Sequence, residues 1–202
     1  MSRAGLAAVA ASAVVIGAGA MTAAMQPGDE NMGEMILGMM REMGKPAPEH
    51  EWMHKLEGDW DFEAKFWLMP GMPPEVSTGT MSRELMLNGL GLRDEMQMDF
   101  AVMGEKIPVQ GMGWMTYNKA TQEYEMAWMD SLESYVTLLK GIRNDDGELV
   151  LEGEVQSLQG DMEMRQVFTW VDEDSTKLTL FGKNAMMPEW TKKGEITSKR
   201  KK

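Results

Sequence analysis

No cysteine occurs in the 202 residues, which removes disulfides, thiolate metal ligands, thiol nucleophiles and a lipid-bearing N-terminal cysteine together. Histidine is almost as scarce, with two copies, His50 and His54, so any His-dependent centre must draw on that one stretch. No G-x-S-x-G elbow and no glycine-rich phosphate loop is present. Positive charge is also short: 20 Lys and Arg stand against 32 Asp and Glu, a net charge of −12. Nucleic acid and anionic membrane surfaces are therefore poor partners. The one basic run, Lys199 to Lys202, reads as a solvated tail. Stability and function must both come from packing.

Methionine is abundant instead, with 24 copies, beside seven Trp, five Phe and three Tyr. The N-terminus carries one charge, Arg3, then an uncharged Ala/Val/Ile/Gly run from Ala4 to Ala20. Ala18-Gly19-Ala20, or Thr22-Ala23-Ala24, supplies the small-x-small pattern of a cleavage site, so residues 1–24 read as an export signal. The alternative is an uncleaved anchor, since Ala4 to Met25 is long enough to span a bilayer. Export without disulfides fits a bacterial periplasm or cell exterior. No membrane partner beyond such an anchor is expected, and no cofactor.

Residues 25–46 follow a different period. Met32, Met35, Ile36, Met39, Met40 and Met43 recur at three- and four-residue spacing, which predicts a short amphipathic helix with Glu34 and Arg41 opposite. Pro46-Ala47-Pro48 breaks it, and a second helix is expected over about 48–57, stopped by Gly58. From there a two-residue alternation takes over to the C-terminus, making residues 47–202 the β domain. Trp60, Phe62, Ala64, Phe66 and Leu68 share one side of the first strand; Asp59, Asp61, Glu63 and Lys65 share the other. In the third strand Leu92, Met96, Met98, Phe100 and Val102 oppose Arg93, Glu95, Gln97 and Asp99. Turn clusters such as Asn88-Gly89 and Asn144-Asp145-Asp146-Gly147 delimit strands near 59–68, 77–87, 91–103, 107–117, 122–130, 133–143, 148–156, 162–171, 176–182 and 190–199. Regular short strands with tight turns predict an all-β fold, an antiparallel up-and-down barrel of eight to ten strands with short N-terminal helices. Strands four and six are apolar on both sides, as if lying under the Met-rich helix.

Pro48-Glu49-His50, Leu56-Glu57-Gly58-Asp59-Trp60, the Pro70-Gly71-Met72 turn, Gly111-Met112-Gly113 and the Tyr124 to Trp128 strand together resemble a bacterial family, domain of unknown function 1579, over about residues 46–200. Gly58-x-Trp60 after a short helix also resembles the entry motif of lipocalin-like (calycin) barrels. The resemblance implies that fold, with Trp60 plugging the closed end, and implies no function. The Met-rich segment before Pro46 departs from the family pattern.

His50-Glu51-Trp52-Met53-His54 spells the H-E-x-x-H pattern of zinc peptidases, in which two helical His bind metal and the Glu activates water. No third His exists, and Trp52, Met53 and Leu56 form the apolar stripe of the same helix, so both His read as solvated positions opposite it. Thioethers are soft ligands, and Met32, Met35, Met39 and Met43 suit copper(I); the same stripe serves equally as a packing face.

The residues expected to point inward are Trp60, Phe62, Phe66, Met96, Met98, Tyr124, Trp128, Phe168 and Trp170. They either fill the barrel or line a pocket for an apolar ligand. Gly111, Gly113 and Gly153 suit bending or room inside. Arg83, Arg93, Asp94 and Arg165 are the candidates for an internal polar anchor. The expected function is an exported, non-catalytic binder of a small apolar or amphiphilic molecule, with the Met-rich helix as a lid. The alternatives are a filled structural or protein-interaction barrel, or a metal-binding protein.

Overall fold

The computed structural model describes residues 30–69, 71–157 and 160–202. The segment read as an export signal lies outside them. The chain divides into two compact units, Met1–Lys45 and Pro46–Lys202. In the first, the Met-rich segment forms a helix, α1 (Glu30–Met43), as its apolar spacing predicts.

The second unit opens with α2 (Pro48–His54), shorter than expected from sequence. Pro at its first position fits, because that residue's missing N–H would be unpaired anyway. Gly58 then turns the chain with φ +123°, a conformation open to a residue without Cβ. Ten strands follow: β1 (Gly58–Phe66), β2 (Glu75–Met86), β3 (Gly91–Val102), β4 (Glu105–Asn118), β5 (Glu123–Asp130), β6 (Thr137–Arg143), β7 (Leu149–Ser157), β8 (Gly160–Asp172), β9 (Ser175–Asn184) and β10 (Met187–Arg200). Each pairs antiparallel with its sequence neighbours, and β1 pairs with β10, so the sheet closes into a barrel without free edges.

The all-β up-and-down barrel and its ten strands agree with the sequence expectation. The main shift is at β6, which starts at Thr137 because Ser131 to Val136 form a connection. Leu68 lies beyond the end of β1 and is exposed, not inside with Trp60, Phe62 and Ala64.

An up-and-down order sorts the connections by end. Those after odd-numbered strands gather at one end, and those after even-numbered strands gather at the other with α2. Trp52, Met53 and Leu56 bring α2 into a buried cluster with Leu92, Tyr124, Leu139, Leu149 and Leu151, which closes that end. A second cluster, Phe62, Ala64, Met96, Met98 and Val109, lines the wall nearer the mouth.

Candidate functional site

Between the two clusters the barrel encloses a cavity of about 360 Å³, running from Trp52 and Leu56 at the closed end to Asp130 and Leu132 at the mouth. Its wall is the inward set of alternate positions. Cross-strand register puts Met96 beside both Met81 and Gly111, and Met98 beside both Gly79 and Val109. Of the nine residues expected inside, Phe62, Phe66, Met96, Met98, Trp128 and Phe168 line this cavity.

Trp60, Tyr124 and Trp170 serve the closed end instead. Trp60 is fully buried and donates its indole N–H to the Leu56 carbonyl at 2.9 Å, the plug expected of a calycin-type entry motif. Its ring centroid lies 6.2 Å from that of Trp170. Tyr124 donates its hydroxyl to the Glu49 carbonyl at 2.9 Å, tying α2 to β5, and packs edge-on against Trp52. Lining residues absent from the sequence-derived set include Met81, Val109, Leu151, Leu180 and Ile196. Their signal was the inward period of β2, β4, β7, β9 and β10, written in aliphatic rather than aromatic residues.

The strand glycines make room, though not directly for a ligand. A Cβ on Gly113 would lie 2.8 Å from Trp128 Cε3, and one on Gly111 would lie 3.1 Å from Trp128 Cη2. The bare backbone of β4 lets this indole lie flat across it, and Trp128 Nε1 donates to Asp130 at 3.2 Å.

One ion pair sits in the apolar wall. Arg83 on β2 and Asp94 on β3 are register partners, both lining the cavity, with Nε and Oδ1 3.7 Å apart. Arg83 is buried, its guanidinium 5.2 Å from the Trp60 ring and 5.9 Å from the Phe168 ring. Burial lowers the Arg83 pKa and raises that of Asp94, with each partner's charge opposing the shift. Arg83 Nε and Nη1 and Asp94 Oδ1 are buried and make no hydrogen bond among the described residues. Unused donors and an acceptor in an apolar pocket are costly unless a bound polar group or water meets them. Arg93 and Arg165 stand outside: Arg93 pairs with Glu84 at 2.6 Å, and Arg165 lies over the Trp190 ring at 4.3 Å.

Both His of the H-E-x-x-H stretch hold α2 in place. His50 is buried, contrary to the solvated position expected, because α2 is seated in the barrel end and Tyr117 meets the His50 ring edge-on at 5.7 Å. The Ala47 amide donates to His50 Nδ1 at 2.9 Å, which satisfies one orphan N–H at the start of α2. His54 is half-buried rather than solvated, and its Nε2–H donates to the Gly89 carbonyl at 2.9 Å, pinning the end of α2 to the β2–β3 connection. Among the described residues no group of three His, Asp or Glu is placed to hold a metal ion.

No curated protein matches the chain in sequence. In structure it is similar to the S-type phycobiliprotein lyase CPES of Guillardia theta, at 13% identity and a TM-score of 0.54 over 80% of this chain and 97% of that one. It is likewise similar to Rv2717c of M. tuberculosis, at 12% identity and a TM-score of 0.56 over 78% of this chain and all of that one, 100%. At these identities the likeness is one of fold, a lipocalin-like barrel. The motifs running from Pro48-Glu49-His50 to Trp128 fall within residues 45–200, which match the family described as "Protein of unknown function (DUF1579)", and the chain belongs to that family.

Proposed function

We propose that the barrel is an exported, non-catalytic carrier of a small amphiphilic molecule, whose apolar body occupies the cavity and whose polar group meets Arg83 and Asp94. The observation that carries this reading is the cavity itself: about 360 Å³, within the size range of small-molecule sites, apolar except for a few placed polar groups. Arg83 supplies two unengaged donors and Asp94 one unengaged acceptor at a depth where water is scarce. A ligand carboxylate or hydroxyl there would replace the missing hydrogen bonds and fix the molecule's direction. Each buried CH₂ contributes about 0.8 kcal/mol, so a chain of about ten carbons supplies about 8 kcal/mol against an association cost of about 4 kcal/mol or more, and hydrogen bonds to Arg83 and Asp94 add to the remainder. Removal of the apolar N-terminal segment on export supplies the compartment.

Native mass spectrometry of protein purified from its own host, followed by solvent extraction, tests the reading. The expected result is a co-purifying amphiphile that is lost in Phe66→Trp or Trp128→Glu. A clean apo mass, together with no binding of fluorescent fatty-acid probes, would reject it.

A further inference from the structure

The two ends of the barrel differ in chemistry. Among the described residues, the connections at the mouth, those within 67–74 and at 103–104, 131–136 and 185–186, contain a single charged residue, Glu133, in a chain in which 26% of residues are charged. At the closed end the connections carry Lys119, Asp145, Asp146, Glu148, Glu173 and Asp174. The mouth presents Leu68, Met69, Met72, Met103, Leu132 and Met186 to solvent, with Met103 82% and Met186 83% exposed. Leu87 is the one large apolar residue described as exposed in the closed-end connections.

The Met103 amide donates to the Glu75 carboxylate at 3.1 Å, but the residue, like Leu87 at the other end, combines positive φ with an exposed side chain. Met103 forms a two-residue hairpin turn with Gly104, and both have positive φ, +51° and +84°. Such a turn favours Asn-Gly, because a side chain with Cβ is strained there. A methionine in that position costs conformational energy and gains no burial.

We propose that the mouth docks onto the surface of an electrically neutral lipid bilayer, with the Met and Leu tips entering the headgroup region. Four separate connections aim apolar tips the same way, and Leu132 belongs both to this rim and to the cavity wall, so an apolar path runs from the surface into the barrel. The exposed tips are flexible aliphatic and thioether chains, suited to a fluid surface, while Trp67 and Tyr135 in the same connections are half-buried. The net charge of −12 opposes anionic surfaces and leaves neutral ones open. This inference rests on the carrier reading: a poorly soluble amphiphile would enter from the membrane.

The absence of cysteine allows single labels. Met186→Cys and Asp146→Cys, each carrying an environment-sensitive fluorophore, are mixed with phosphatidylcholine vesicles. The mouth label is expected to shift to the blue and brighten while the Asp146 label stays unchanged, and added phosphatidylglycerol is expected to weaken the effect. Where residues 4–20 are retained they would tether the chain without burying Met186, so label position is the readout rather than vesicle capture. Met72→Glu together with Leu68→Glu should weaken the response about tenfold, the loss expected when apolar tips no longer enter the interface. Met103→Asn should raise the urea midpoint while weakening the response, a split that a structural role would not give. No shift at the mouth would overturn the proposal, and so would a shift without vesicles that grows with protein concentration, which would identify a second copy as the occupant. Ligand retention read separately by native mass spectrometry tells failure of docking from failure of the carrier reading.

Discussion

Arg200 lies over the Trp60 ring at 4.3 Å, and the two are register partners on the closing strands β10 and β1. The same guanidinium donates to the carbonyls of Lys55, at 2.6 Å, and of Glu57, so one side chain joins the barrel seam, the aromatic plug and the end of α2. Arg200→Ala is expected to cost about 2 kcal/mol through lost charge-assisted hydrogen bonds, and Arg200→Lys to recover little because an ammonium lacks the planar fork. Trp60→Ala should cost about 3 to 5 kcal/mol. Urea midpoints measure both, and unchanged values would show that the seam does not depend on this cluster.

The buried pair separates stability from binding. Asp94→Asn leaves Arg83 buried without a counter-charge and should cost about 3 kcal/mol, whereas the double variant Arg83→Met with Asp94→Leu should be as stable as the parent within about 1 kcal/mol, or more so. The double variant should nevertheless bind a fluorescent fatty acid about tenfold more weakly, the loss of one charge-assisted hydrogen bond, while an uncharged apolar probe binds as before. Equal binding of both probes would remove the anchor role.

Gly111 exists to admit Trp128. The three atoms nearest a Cβ at Gly111 all belong to side chains, two to Trp128 and one the Met96 methyl at 3.0 Å. Gly111→Ala should therefore destabilise by about 1 to 3 kcal/mol, and adding Trp128→Leu should recover part of that loss. A double-mutant cycle reads the coupling; simple additivity would mean that the glycine serves the backbone alone.

Burial lowers the His50 pKa from its ordinary value of 6.5. Protonation then favours the unfolded chain, so the contribution of neutral His50 is present above that value and is lost as pH falls below it. The slope can reach about 1.4 kcal/mol per pH unit, the limit for one proton. Urea midpoints between pH 7.5 and 5 should fall in the parent and flatten in His50→Gln. An identical pH dependence in the two would place the titrating group elsewhere.

The strands were legible because a barrel strand has one dry side: the period of two in Trp60-Phe62-Ala64 or Leu92-Met96-Met98 records the wall directly. Arg83 and Asp94 also left a trace, since each occupies an inward position between apolar neighbours, Met81 and Leu85 in one case and Leu92 and Met96 in the other. Choosing them over Arg93 and Arg165 required the register that sets 83 opposite 94. The expectation that His50 and His54 are solvated failed for a geometric reason. A helix of seven residues seated in a barrel end is enclosed on more than its apolar stripe, so the face opposite Trp52 and Met53 was not outward. Trp60, Tyr124 and Trp170 have the composition of a pocket wall, and only their depth in the barrel assigns them to the plug.

The seam between β1 and β10 pairs the first strand of the domain with its last, from Trp60↔Arg200 to Phe66↔Gly194, and the Lys201 amide still donates to the Asp59 carbonyl at 2.8 Å. Every other strand pair joins sequence neighbours and is able to form as the chain is made, because local contacts incur little loop-closure entropy. The seam has no such early partner. Until residue 200 is available, β1 presents an unpaired edge, and the nascent meander is open to pairing with another chain. Closure thus waits on the last strand, and the cavity does not exist before it.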